Sequence, residues 1–336
     1  MNLKPDFKYR IFKWEFWPYY IFYIPVYFLY FVLSLMSRSL SFMTSVNPGM
    51  KYGGFFDYSK YDVLKQIPSQ YIPKTKFFLK SPSNDDVKKS MKELGLSYPV
   101  ILKPNEGERG SGVEKISNDT DLNDYLKTKP EEIILQEFIA TNDEYGIMYV
   151  RYPDQSKGKI TSIVFKGELY VVGDGKSDLL SLFNNHHRAS LYLDFLTDKY
   201  QDVLHHVIAD GEVFMLSKMG NHCRGAIFND ANYLISKLDT KVFDEISAHI
   251  DGFYFGRYDL KAEDEEALIK GEFKVMELNG VNSEPAHIYD PENSLIAAYK
   301  DLFAHWWRIY KIGKQNRKQG HSDTPFPVLL QSLMNR

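Results

Sequence analysis

Cysteine is almost missing: Cys223 stands alone in 336 residues, so no internal disulfide is possible, and a cytosolic active domain is compatible with that. There is no internal repeat and no low-complexity tract, which removes solenoid and array architectures. Net charge is small, −3 at pH 7, and argues against a dedicated nucleic-acid binder. What is present is ordinary core-forming material. Hydrophobic residues make up 44% of the chain, enough for one large domain or two smaller ones.

The small net charge conceals an uneven layout. Residues 1–80 hold eleven Lys/Arg against four Asp/Glu, and residues 301–336 hold six against two, leaving 24 basic and 38 acidic groups in 81–300. Basic, aromatic-rich ends suit an anionic membrane surface, and an acidic middle suits a divalent-metal site. Chance and solvated faces are the plain alternative.

From Phe16 to Ser37 the chain carries no formal charge. A helix of about 20 apolar residues crosses a hydrocarbon core. The run is too long and too rich in Trp and Tyr for a cleaved signal peptide, and no small-residue cleavage site follows it closely. Membrane association is therefore expected, with a buried core helix as the alternative. Lys4, Lys8, Arg10 and Lys13 precede the run, and Arg38 and Lys51 follow it, so the positive-inside tendency gives no orientation. Pro25 should kink a helix here, and Trp14, Trp17, Tyr19, Tyr20 and Tyr23 cluster near one end as interfacial aromatics do. The reading is a re-entrant or in-plane element that anchors the protein at the cytoplasmic face of a membrane. Leu295 to Lys318 carries apolar residues on a helical period and a basic end. It reads either as an interfacial amphipathic helix or as a helix packed on the core with a solvated end.

Between these ends, helices are expected at 59–65, 83–94 (polar cap, closing Gly95), 119–126 and 241–249. Strands are expected at 74–79, 98–102, 133–138, 213–218, 253–260 and 273–278. A hairpin over 160–172 should turn at Lys166-Gly167-Glu168. Strands and helices interleave with short connections, which gives α+β layers rather than a doubly wound parallel sheet. The division is 1–45 for the aromatic segment, 46–80 for a lead-in, 81–140 and 141–300 for two α+β subdomains, and 301–336 for a basic tail.

Three constellations carry chemistry. In Phe255-Gly-Arg257-Tyr-Asp259 and Met276-Glu277-Leu-Asn279, side-chain alternation puts Arg257 with Asp259 and Glu277 with Asn279 on one face each. If the two strands pair, three hard oxygen ligands suited to Mg²⁺ converge with a guanidinium able to steady a transferring phosphoryl group. An ordinary polar hairpin face is the alternative. Next, Lys103 ends a strand before a loop with Gly107, Gly110, Ser111 and Gly112, which can offer an ammonium and backbone N–H groups to phosphates. It is not a P-loop, because no Gly-Lys-Ser/Thr opens a helix there. Last, Gln136-Glu137-Phe138-Ile139 ends a strand, with Glu144 close behind. Such a backbone edge can face adenine and such an acid the ribose, although singly it is a plain buried strand.

In this order and spacing the pieces resemble the ATP-grasp superfamily from about Ser59 to Asp290, and most closely carboxylate–amine ligases of the D-alanine–D-alanine ligase and glutathione/cyanophycin type. Asp174-Gly175-Lys176-Ser177 and Gly220-Asn221 with Gly225 are similar to segments of the latter group. The resemblance implies two α+β subdomains with ATP between them. Lys60 and Lys103 would meet ATP phosphates under the Gly107–Gly112 lid, Gln136, Glu137, Phe138 and Ile139 would form the adenine hinge, and Glu144 would bind ribose. Asp259, Glu277 and Asn279 would hold Mg²⁺, two ions with Mn²⁺ as a possible substitute, while Arg257 and, less firmly, Lys176 would be catalytic. The implied reaction is ATP-dependent carboxylate–amine ligation through an acyl phosphate, on small-molecule or lipid-linked acids and amines. A phosphotransferase and a non-catalytic nucleotide-binding protein are the alternatives. The pattern departs from the family where the aromatic segment replaces the usual N-terminal substrate domain, where Gln136 replaces Glu, and after Asn279. His287 and Tyr289 are candidate substrate contacts or packing residues, His186 and His187 helix surface, and Arg188 an anion contact.

Overall fold

The computed structural model describes residues 14, 17–107, 111–128, 131–141, 143–167, 169–186, 189–217 and 227–335. Lys4, Lys8, Arg10, Lys13, Phe16, Gly110, Glu168, His187, Arg188, Gly220, Asn221, Cys223 and Gly225 lie outside the described residues.

The apolar run breaks at Tyr23 into helix α1 (Tyr19–Phe22) and helix α2 (Ile24–Ser37). Pro25 falls in the first turn of α2, where its missing N–H costs nothing, so it opens a helix rather than kinking one. Among the described residues no helix is long and apolar enough to cross a membrane. The lead-in then runs through short 3₁₀ turns to helix α3 (Lys60–Leu64), capped by Ser59. Buried Asn47 fixes this lead-in. Its amide donates to the Gly53 and Phe255 carbonyls and its oxygen accepts from the Tyr254 and Phe255 amides. These bonds tie the lead-in to the start of the strand at Phe255.

A four-stranded antiparallel sheet follows, made of β1 (Thr75–Phe78), β2 (Val100–Pro104), β3 (Glu114–Ile116) and β4 (Ile133–Glu137) in the order β1-β4-β2-β3. This sheet draws on residues ahead of 81. Helix α4 (Asn84–Leu94) starts in a capping box between Ser83 and Asp86 and stops at Gly95, whose φ of 65° suits a residue without a Cβ. Helix α5 (Asp119–Lys127) is capped by Asn118. Val87, Met91, Leu122 and Tyr125 of these helices bury the apolar face of β2 and β4.

The larger sheet begins with β5 (Asp143–Val150) and β6 (Lys159–Gly167). The next strand, β7 (Leu169–Val172), pairs instead with β8 (Val213–Ser217), and helices α6 (Leu179–Asn185) and α7 (Leu193–Lys199) lie between them. The hairpin expected over 160–172 is therefore absent. The apolar alternation of β7 serves a separate cluster around Leu179, Phe183 and Leu216. After β9 (Ile227–Asp230), helix α8 (Thr240–Ala248), β10 (Phe255–Ala262), helix α9 (Glu265–Lys270) and β11 (Phe273–Asn279), the sheet closes in the order β11-β10-β5-β6-β9, every pair antiparallel.

Both faces of that sheet are buried, and alternation decides which residue goes where. Tyr145, Ile147 and Tyr149 pack toward Phe243 and Ile246 of α8. Met148 and Val150 face the opposite way, onto helix α10 (Leu295–Lys318), α2 and helix α11 (Phe326–Met334) through Ile309, Ile312, Leu33 and Leu329. Each fully buried aliphatic side chain there stabilises the fold by roughly 1.5–3 kcal/mol.

Candidate active site

β10 and β11 are hydrogen-bonded neighbours, with Asp259 opposite Glu277 and Arg257 opposite Asn279. The four side chains read from sequence are thus brought to one spot. Beyond Asp259 the register slips, Leu260 pairing with Val275, so Met276 is an extra bulged residue. Bulges re-aim backbone groups beside functional sites. Here the Met276 carbonyl accepts from Lys103 Nζ at 3.1 Å, a bond from the small sheet to the large one.

Arg257 grips Asp259 with two bonds, Nε to Oδ1 at 2.8 Å and Nη2 to Oδ2 at 3.1 Å. Burial works to raise the Asp259 pKa, but Arg257 and Lys166 outweigh it and hold the carboxyl below its usual range. The neighbouring β5 makes room at Gly146, opposite Asp259. A Cβ there would sit 2.8 Å from Val164 Cγ1 and 3.1 Å from Arg257 Cδ. Asn279 Nδ2 donates to Asp259 Oδ2 at 3.2 Å, and its Oδ1 accepts from Tyr58 at 3.1 Å. Burial, aided by Glu277 and Asp259, drives the Tyr58 phenol far above its ordinary range, so it stays a donor. After Asn279 the chain threads past the lead-in so closely that a Cβ on Gly54 would meet Gly280 Cα at 2.7 Å.

Lys60, first residue of α3, reaches Glu277 Oε1 at 3.1 Å. Its helix is tied to the glycine-rich loop by Asn105, whose Oδ1 accepts from the Ser59 hydroxyl and the Tyr61 amide. Lys103 is buried, and among the described residues its direct partners are uncharged, Met276 O at 3.1 Å and Gln136 Oε1 at 3.0 Å. Burial therefore pulls its pKa down to about 8, with Glu277 opposing and Lys60 adding to the fall. Gly107 and Gly112 adopt φ of 149° and 69°, and Ser111 between them is exposed.

The hinge leads from β4 toward β5. Glu137 turns outward and accepts from the Lys74 amide at 3.0 Å. The Phe138 ring lies under Lys115, 4.3 Å from its centroid, and the Ile139 carbonyl accepts from Lys261 Nζ at 3.3 Å.

Glu144 is bound to Lys166 at 2.6 Å, and Lys166 also lies 3.4 Å from Asp259. Sequence reading placed Lys166 in a turn and missed it. Burial alone would lower its pKa, yet Asp259 and Glu144 raise it. The detectable signal was β5 itself, since Glu144 and Gly146 lie one residue apart on a strand flanked by apolar partners. Lys176 is placed elsewhere. It is exposed in a turn after β7 where Asp174 Oδ1 accepts from its amide at 2.9 Å. His287 is held on both ring nitrogens, by Ser162 at 2.7 Å and Asp301 at 3.0 Å, which makes it a packing residue. Tyr289 donates to Glu284 at 2.7 Å.

Among the described residues no group of three or more His, Cys, Asp and Glu is placed to hold a metal. The site offers two carboxylates and one amide oxygen. That donor set fits Mg²⁺ only where phosphate oxygens and water complete the coordination, which is how Mg²⁺ is usually held at nucleotides. Four cations, Lys60, Lys103, Lys166 and Arg257, face three carboxylates, Glu144, Asp259 and Glu277. The unbalanced charge belongs to Lys103.

Residues 58–169 match the RimK-like ATP-grasp domain. That match spans about a third of the chain and takes in β1 to β6, so these residues carry the likeness to an ATP-grasp domain. Formate-dependent phosphoribosylglycinamide formyltransferases are similar over a shorter stretch. The one from Sulfurisphaera tokodaii is 30% identical over 101 residues, 28% of this chain and 24% of that protein. The one from Sulfolobus acidocaldarius is 30% identical over 105 residues, 29% and 25%. The chain thus spans about a quarter of the length of these curated relatives. Among solved structures, D-alanine–D-alanine ligase from Bacillus anthracis aligns over 78% of this chain and 69% of that one, at 14% identity and a TM-score of 0.45. A bifunctional glutathione synthetase from Pasteurella multocida aligns over 77% and 38%, at 15% and 0.37.

Proposed function

We propose that the protein is an ATP-dependent carboxylate–amine ligase. The observation that carries this is the pairing of Asp259 with Glu277 and Arg257 with Asn279 on adjacent strands, beneath two lysines from the other side of the site. ATP is the phosphoryl donor. A substrate carboxylate oxygen attacks its γ-phosphorus, the bond to the β–γ bridging oxygen breaks, and ADP leaves. An amine then attacks the acyl carbon and releases one proton, and phosphate departs with the pair of electrons from the C–O bond.

Lys103 and Lys60 bind the phosphates. Arg257, held in orientation by Asp259, faces the charge that builds on the transferring group. Asp259, Glu277 and Asn279 would hold Mg²⁺ together with the nucleotide phosphates. When bound, that metal neutralises phosphate charge. The chain from Gln136 to Ile139 receives the adenine edge. Glu144 receives the ribose if it exchanges its bond to Lys166. Lys176 enters the site only if the β7–β8 unit closes over it. The acid and amine are small molecules or their lipid-linked forms.

The test is nucleotide turnover by the purified full chain with Mg·ATP, a cell extract and hydroxylamine, which captures an acyl phosphate as a hydroxamate. ADP, phosphate and hydroxamate together are the expected products, and a lipid-linked acid would carry its hydroxamate into the organic phase. ADP with a phosphorylated product and no hydroxamate would replace the ligase reading with phosphotransfer.

A further inference from the structure

The outer face shared by α2, α10 and α11 is unusually apolar. On α10 the exposed positions follow one line at helical spacing: Ile296, Lys300, Phe303, Trp307, Lys311 and Lys314. The opposite line is committed to the core by Leu302, Ile309 and Ile312, and Asn316 bonds the Ser45 and Val46 carbonyls. Helix α2 lies beside α10, with Tyr30 edge-on to Trp306 at 5.3 Å, and it buries Val26 and Leu33. Its other side leaves Ile24 60%, Phe28 72%, Phe31 54% and Leu35 62% exposed. Helix α11 shares the same inner cluster through Leu329 and leaves Leu330 and Leu333 outside. Aromatic and aliphatic side chains of this size, on three helices that share one inner cluster, are not left to water without a partner.

Charge says which partner. Lys311 lies over the Trp307 ring at 5.8 Å and Lys314 over Tyr310 at 5.7 Å. Among the described residues no ion pair holds Lys300, Lys311 or Lys314. A second copy of the chain would set these lysines against a face that supplies no carboxylate on its exposed line. A bilayer with anionic headgroups supplies both partners at once, acyl chains for the rings and phosphates for the ammonium groups.

We propose that α2, α10 and α11 form a platform that lies flat in the headgroup region of an anionic membrane. The platform neither spans nor re-enters. Helix α2, with 14 residues, is about 21 Å long against a hydrocarbon core of about 30 Å, and its inner side is held by the protein. The proposal is independent of the ligase reading, since it concerns how the chain is placed and not what it joins.

The experiment is co-sedimentation of the full chain with phosphatidylcholine vesicles, with and without phosphatidylglycerol, alongside its mass in solution by light scattering. Binding to the anionic vesicles that weakens with salt is expected. Phe28→Ser with Phe31→Ser should abolish it, and Lys311→Gln with Lys314→Gln should weaken it roughly thirtyfold. These side chains are exposed, so nucleotide affinity reports that each variant is folded and should not change. Failure of the wild-type chain to bind anionic vesicles overturns the proposal. So does a dimer that Phe28→Ser disperses, which would assign the face to a second copy. Equal binding to neutral vesicles, or binding that survives the paired Phe variant with nucleotide affinity intact, overturns it as well.

Discussion

Two lysines are buried on either side of the same site, and their surroundings differ in one respect. Lys166, in the large sheet, has two carboxylates, Glu144 and Asp259, and its pKa is raised despite burial. Lys103, in the small sheet, has a carbonyl and an amide, and burial pulls it down to about 8. The first is part of an internally neutralised network with Arg257. The second is a cation that, among the described residues, has no counter-charge bonded to it. A buried charge without a partner is costly, so its retention points to an anion that arrives from outside. The large-sheet side is thus internally balanced, and the small-sheet side is left with a positive charge that suits an incoming anion.

The comparison breaks most sharply at Asp259. Asp259→Asn leaves Arg257 and Lys166 buried with one fewer negative charge, and should cost about 3–5 kcal/mol in urea unfolding together with all turnover. Lys103→Met should do the reverse. It removes an uncompensated ammonium, so unfolding free energy should change by less than about 1 kcal/mol while calorimetric ATP affinity falls about 10- to 100-fold. If Lys103→Met unfolds the protein as badly as Asp259→Asn, the two poles are alike and the contrast is wrong.

A smaller effect lies in pH. Phosphates favour the ammonium form, so binding above a pKa of about 8 requires proton uptake by Lys103. ATP affinity should be level below pH 8 and decline above it, by at most about tenfold per unit. Lys103→Arg, which stays charged, should bind with no such decline. The smallest effect concerns Glu284, next to the Arg257 guanidinium through its carbonyl. Burial raises its carboxyl to about 7, with the Tyr289 hydroxyl partly opposing. A raised carboxyl stabilises the fold fully below the unfolded value of 4.5, and that contribution is lost as pH climbs toward 7. Glu284→Gln should remove this slope and gain about 1–2 kcal/mol above pH 7, read from unfolding curves across pH 4 to 8.

What could be read from sequence followed the range of each signal. Period-2 alternation in 255–259 and 276–279 placed Arg257, Asp259, Glu277 and Asn279 on shared faces, because a strand fixes its side chains locally. The Met276 bulge could not be read, since a slipped register depends on both strands at once. Lys166 was hidden for the same reason. Lys-Gly-Glu reads as a turn, and only pairing of β6 with β5 makes that lysine a buried partner of Glu144. The false hairpin over 160–172 came from two apolar strands close in sequence, which the fold sends to different sheets. The matched domain, 58–169, holds Lys60, Lys103 and Glu144 but ends far before Arg257, so the half of the site proposed to hold metal rests on geometry.

The central claim is that Asp259, Glu277 and Asn279 hold Mg²⁺ only together with nucleotide phosphates. Calorimetry of a non-hydrolysable ATP analogue, with and without Mg²⁺, tests it directly on the wild-type chain and on Asn279→Ala. The account predicts that Mg²⁺ tightens binding at least about tenfold in the wild type and has little effect in the variant. Nucleotide affinity that ignores Mg²⁺ in the wild type would contradict it.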